Sequence, residues 1–267
     1  MTPGEAAHEH SGQRRPGVEI EALVEGQGPD VVLLPSASRG AADFALLQAA
    51  LSEAGYRSVA INPRGAGRSR GPGGELSFRE VVGDVASVIA ALCDGPVHVV
   101  GHALGNTVAR ATASYCPDLV KTVTAMPCGG HNLGAHPVSQ HVMTHFARCH
   151  DFSLSDAERL EALGVAFFAP GNDASSWLDG WWPDAAVVSQ AMQTSDPQEW
   201  WRGGDGPILI MQPLEDAMMS NEAGREVAAA LGERVTYAEI PRCGHAILPE
   251  QPDLIAGHLI RFLRAHP

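Results

Sequence analysis

Three short stretches of the chain carry residue types that could do chemistry together. The first is Gly101-His-Ala-Leu-Gly105, which follows the apolar run Val97-His-Val-Val100 and precedes the helix-forming stretch Asn106-Thr-Val-Ala-Arg110. Glycines two before and two after a central residue are what a sharp strand-to-helix turn requires, because side chains at those points would collide. Such a turn, a nucleophile elbow, ordinarily raises a nucleophile at its tip, and here the tip residue is Ala103. The second stretch, Ile208-Leu-Ile-Met-Gln-Pro-Leu-Glu-Asp216, sets an acid just beyond an apolar strand run, and Cys243-Gly-His245 sets a histidine just beyond the next. Ligands of a parallel α/β sheet bind at the C-terminal ends of its strands, so the three stretches are expected to converge.

An Asp and a His still make a general base when the tip residue is alanine. Asp216 would hold His245 in one tautomer and stabilise its protonated form, and a water near Ala103 would be the nucleophile. Such a site suits activated substrates: an enamine, an imine, a carbamate or a strained lactone. The same imidazole could instead take a proton from carbon or from a hydroxyl, leading to elimination, isomerisation or cofactor-free oxygenation. A pocket that binds without reacting is the third reading, and the sequence leaves all of them open.

Strands and helices must alternate to position these residues, and they do. Val18 to Val24 reads as a half-buried edge strand, Asp30-Val-Val-Leu-Leu34 as a central parallel strand, and Ala42 to Glu53 as a helix. The mostly small residues Ser36-Ala-Ser-Arg-Gly40, between that strand and that helix, let backbone amides approach a ligand. Arg57 to Ile61 is a strand, Ser77 to Leu92 a helix, and Lys121 to Met126 a strand after the elbow helix. The alternation stops from 128 to 205, where helical stretches at 138–149, 156–168 and 184–194 accompany all five tryptophans. That segment reads as a helical cap insertion into a core of 17–127 and 206–267. Strands at 207–212 and 234–240 and helices at 221–231 and 251–265 complete an α/β fold with a mostly parallel, doubly wound sheet.

Beyond its first residues the chain resembles the α/β-hydrolase superfamily, on NPRGAGRS at 62–69, GHALG at 101–105, PLEDAMM at 213–219 and GHAILPEQP at 244–252. The resemblance implies Asp216 as orienting acid, His245 as base, and an oxyanion hole from the amides of Ala37 and Leu104. Ala103 departs from the serine, cysteine or aspartate usual in the superfamily, and no acyl-enzyme can form on it. Loss of such a nucleophile from a serine hydrolase costs on the order of a millionfold in turnover. Alanine stands there naturally in some branches, including proteins similar to the aminoacrylate hydrolases of pyrimidine breakdown; an engineered serine-to-alanine change in an esterase or lactonase is the other origin. The expected pocket lining is Ser36, His102, Trp177, Trp181 and Met218, with Met219 beside it, under an aromatic lid that suits a substrate with an apolar part.

The remaining candidates have plainer readings. His102 is expected to be structural or pocket-lining, and Cys128, after a strand end, to be a buried hydrophobe before a nucleophile. His141, His145 and Cys149 are spaced by four and share a helix face, but no HExxH glutamate accompanies them or the neighbouring His131, His136 and His150. A polar helix face is the expectation, with no metal and no cofactor. Eighteen basic against 31 acidic residues, a net charge of −13, disfavour nucleic acid and anionic membranes as partners. The five cysteines include no CxxC pair, which fits reduced thiols in a cytoplasm. No apolar run approaches a membrane span, residues 1–16 read as a loose, disordered tail, and a small-molecule enzyme that is a monomer or homodimer is expected.

Overall fold

The computed structural model describes residues 7–10, 17–129 and 135–267. In chain order its strands are β1 (Ala7–His10), β2 (Glu21–Gly26), β3 (Asp30–Leu34), β4 (Arg57–Ile61), β5 (Val97–His102), β6 (Val120–Met126), β7 (Ile208–Pro213) and β8 (Val235–Ile240). The helices are α1 (Ala45–Glu53), α2 (Phe78–Leu92), α3 (Leu104–Tyr115), α4 (Gln140–Cys149), α5 (Asp156–Ala166), α6 (Ala186–Gln193), α7 (Asn221–Leu231), α8 (Ile247–Glu250) and α9 (Pro252–Ala265).

The strands form one sheet in the order β1-β2-β4-β3-β5-β6-β7-β8. All pairings from β4 through β8 are parallel, and β1 and β2 pair antiparallel. The two-residue period of a strand divides its side chains between two cores. In β3, Val32 and Leu34 face the α2, α3 and α7 side, while Val31 and Leu33 face the α1 and α9 side. A strand covered on both faces needs a continuous apolar run, and DVVLL supplies one.

One expectation changes here. Residues 7–10, read as part of a loose tail, form a strand paired with β2, and they move β2 off the sheet's edge. The final helix begins at Pro252, within one residue of its expected start at 251, and the short α8 lies just before it. Among the described residues no helix is long and apolar enough to cross a membrane.

Between β6 and β7 the chain makes α4, α5 and α6. Serines cap the first two: Ser139 Oγ accepts from the Val142 N–H, and Ser155 forms a reciprocal capping box with Glu158. Their apolar faces meet Phe167, Phe168 and Trp177 in a core of their own, which also takes in Ala246 beside the histidine loop. This segment therefore lies against the C-terminal side of the sheet.

Candidate active site

The turn after β5 is tight because nothing larger than hydrogen fits at its flanks. A Cβ on Gly101 would lie 2.2 Å from the Gly105 carbonyl oxygen, and one on Gly105 would lie 2.1 Å from the Leu34 carbonyl oxygen. Between them Ala103 sits at φ 49° and ψ −110°, a conformation that costs an L-residue about 1–3 kcal/mol. Its N–H donates to the Met126 carbonyl at 2.6 Å, which pins the tip between strand ends.

His245 and Asp216 pair with each other. The His245 Nδ1 lies 3.0 and 3.1 Å from the two Asp216 carboxylate oxygens. The Asp216 side chain is fully buried, and its Oδ1 also accepts the N–H groups of Met218 and Met219 at 2.8 and 2.9 Å. A carboxylate so placed selects the tautomer with the proton on Nδ1, which leaves Nε2 as the basic nitrogen.

Two further bonds hold the histidine loop. The Gly244 N–H donates to Glu250 Oε1 at 2.8 Å, and the Ala246 N–H donates to the Phe167 carbonyl at 2.9 Å. Glu250 Oε2 accepts from the Ala169 N–H and from Asn172 Nδ2, each at 2.7 Å, so one carboxylate ties the histidine loop to the segment after α5. Burial holds its carboxyl above the usual carboxylate range, against the opposing pull of those donors. Sequence reasoning passed over Glu250; its place five residues after His245, ahead of Pro252, was the available signal.

The loop after β3 is also held from several sides. Ser38 takes φ 55°, and the Arg39 N–H donates to the Ser36 carbonyl at 3.1 Å. The Arg39 guanidinium grips both Asp43 oxygens at 2.7 and 2.8 Å, donates to the Asp179 carbonyl at 2.6 Å, and lies 4.7 and 4.9 Å from the Trp177 and Trp181 ring centroids. Asn62 Oδ1 accepts the Ala41 N–H at 2.7 Å. The Ala37 amide makes no backbone hydrogen bond among the described residues. The Leu104 amide opens α3, where first-turn N–H groups have no intrahelical partner.

A cavity of about 220 Å³ lies over these groups. Ser36, Ala37, Ala103, Leu104, Met218, Met219 and His245 line its sheet side. The opposite side comes from between β6 and β7: Phe146, His150 and Phe167, then Trp181, Ser189, Met192 and Trp200. The rings there touch one another, with His150 4.8 Å from Trp181 and Phe146 5.7 Å from Phe167. Asn106, Thr107 and Arg110, on one face of α3, and Gly129 after β6 complete the described lining. Sequence reasoning missed that face, although its spacing of three and four from Ala103 was the signal.

Two expected pocket residues lie elsewhere. His102 is fully buried behind His245, its Nε2 donating to the His245 carbonyl at 2.8 Å, and it does not line the cavity. Burial pushes its pKa down to about 3, so the ring stays neutral. Trp177, 3% exposed, packs among Phe167, Phe168 and Trp181 instead of reaching the cavity. Both miss for one reason: a residue beside a site in sequence can still point into the layer that supports it.

Cys128 is buried outside the lining, with its thiol pKa raised by burial. The His141 and His145 rings lie 4.5 Å apart at a tilted angle, Cys149 is buried, His136 bonds Glu226 at 3.1 Å, and His131 lies outside the described residues. Among the described residues no group of three His, Cys, Asp or Glu side chains could hold a metal ion.

Comparison with known proteins agrees with this architecture. The chain is 26% identical over 268 aligned positions to a protein of Variovorax paradoxus whose name describes it as a carbamate hydrolase, RutD, covering 92% of this chain and 94% of that one. A 108-residue stretch, 38% of this chain and 30% of the other, is 38% identical to epoxide hydrolase B of Mycobacterium tuberculosis. In structure the chain is similar to Rv0554 of Mycobacterium tuberculosis, with a TM-score of 0.80 and 21% identity over 98% and 100% of the two chains. It is similar also to an esterase of Exiguobacterium antarcticum, with a TM-score of 0.77 and 18% identity over 94% and 97%. Residues 31–258 match the model of the alpha/beta hydrolase family, and the chain belongs to that family.

Proposed function

We propose that the protein is a small-molecule hydrolase in which His245, oriented by Asp216, activates a water at the strained turn of Ala103. The observation that carries this reading is the 3.0 Å contact between His245 Nδ1 and a fully buried Asp216 at the wall of a cavity that Ala103 also lines. Water attacks an electrophilic carbon and gives its proton to His245 Nε2. The negative charge that develops on the substrate's oxygen or nitrogen falls on the Ala37 and Leu104 amides, which are free to donate. His245 then returns the proton to the leaving group. General-base assistance of this kind is worth about 10²–10⁴-fold, which suits activated substrates such as carbamates, enamines and strained lactones better than ordinary esters. The name of the Variovorax relative points the same way.

Residues 128–205 act in this reading as a cap, and its aromatic side supports a substrate with an apolar part. Turnover of an activated-substrate panel in ¹⁸O-water tests the proposal. One labelled oxygen should enter the product, and His245→Ala should lower kcat by at least a hundredfold. Product without label, or full turnover in the variant, refutes it. Ala103→Ser, tested with a fluorophosphonate probe, reports whether the turn can still carry a nucleophile.

A further inference from the structure

Arg110 is the one arginine or lysine among the described residues that line the cavity, and its surroundings leave it short of partners. The residue is 2% exposed, its Nη1 donates to the Trp201 carbonyl at 3.0 Å, and its Nε is buried with no hydrogen-bond partner among the described residues. Its guanidinium carbon lies 5.4 Å from the ring centroid of Trp200, another lining residue. Other buried arginines of the chain are neutralised: Arg39 by Asp43, and Arg64 by Asp84 at 2.6 and 2.9 Å. Arg159 also bonds a carbonyl and keeps a free Nε, but it lies outside the cavity lining.

The cavity itself completes the picture. Although the chain carries 31 acidic residues, no Asp or Glu is among the described residues that line the cavity. A buried guanidinium whose one hydrogen bond goes to a neutral carbonyl is costly unless an anion answers it. Its planar fork fits a carboxylate bidentately. Thr107, one turn earlier on the same face of α3, adds a hydroxyl beside it.

We propose that Arg110 binds a carboxylate at the end of the substrate remote from the reacting carbon. At 1.5 Å per helical residue, Arg110 stands about 10 Å along α3 from Ala103. The substrate class is then an anionic acyl compound: a hydrolysable group at His245, a short apolar span under Met192 and Trp200, and a carboxylate at Arg110. The assignment of the reacting end rests on the hydrolytic reading above; the anion site does not.

Equilibrium binding of hexanoate and of its neutral analogue hexanamide, measured by calorimetry on the full chain, tests the proposal. Hexanoate should bind at least tenfold more tightly, Arg110→Gln should erase the difference, and His245→Ala should preserve it. Arg110→Lys, which keeps charge without the fork, should weaken hexanoate several-fold and leave hexanamide unchanged; that result decides the matter if the glutamine variant fails to fold. Equal binding of acid and amide, no binding by any C4–C8 carboxylate, or an undiminished preference in a folded Arg110 variant overturns the proposal. A preference that vanishes in His150→Gln but not in the Arg110 variants overturns it as well. Carboxylate preference without ¹⁸O incorporation would defeat the hydrolytic reading and leave the anion site standing; label without preference would do the reverse.

Discussion

The sheet-borne side of the cavity is held by backbone, and the side from between β6 and β7 is held by rings. At the turn, Gly101 and Gly105 leave no room for a Cβ, the Ala103 N–H bonds Met126, and Asp216 collects two backbone N–H groups besides His245. Opposite them Phe146, His150, Phe167 and Trp181 meet through ring contacts of 4.7 to 6.1 Å, with few hydrogen bonds among them. Backbone bonds and steric limits define positions sharply, as the proposed proton transfer demands. Ring packing tolerates a change of shape, as selection among substrates demands. The difference teaches that the two sides should fail differently when altered.

Asp216→Asn breaks the comparison most severely. The amide can donate to His245 Nδ1 and so favours the wrong tautomer, with the fold unchanged. Turnover should fall by about 10²–10⁴-fold while binding of a substrate analogue stays within a few-fold, measured by steady-state kinetics and calorimetry. An equal loss of both would mean that the sheet side, too, serves binding.

Trp181→Ala sharpens it from the other side. The ring lines the cavity and packs on His150 and Phe167, so its loss should raise KM roughly tenfold for apolar substrates, with kcat changed much less. A fall in kcat alone would assign Trp181 to the chemistry.

The smallest effect concerns the layer beneath. His102 and His98 have pKa values pushed from the ordinary 6.5 down to about 3 and about 4 by burial. Below pH 6.5 the unfolded chain takes protons that the folded chain refuses, so these residues make stability fall as pH drops toward 4. Urea unfolding between pH 7 and 4.5 should show the decline, and His102→Gln, though less stable at pH 7, should show a shallower one. An identical slope would mean that other groups govern acid sensitivity.

Much of this was legible beforehand. The strand, turn and helix around Ala103 follow from glycine spacing, and the predicted helix at 221–231 has the observed bounds, because its apolar period runs from a Ser220 cap to a glycine stop. The Asp216 and His245 pairing was legible because each follows a strand end, where topology leaves few alternatives. The strand at 7–10 was not, since its pairing partner β2 is remote in type and signal from a polar segment. His102 and Trp177 were misplaced because adjacency in sequence does not say which face of a packed layer a side chain takes.

What the sequence determined by itself, then, is the local geometry that short-range sterics dictate: the turn, the alternation, and the absence of a nucleophile at Ala103. Tertiary structure alone decided which rings face the cavity, that Glu250 joins the histidine loop to the segment after α5, and that Arg110 reaches a lining with no carboxylate among its described residues. Those outcomes depend on contacts between residues 80 to 150 positions apart or on the summed packing of a layer, and no local period encodes either.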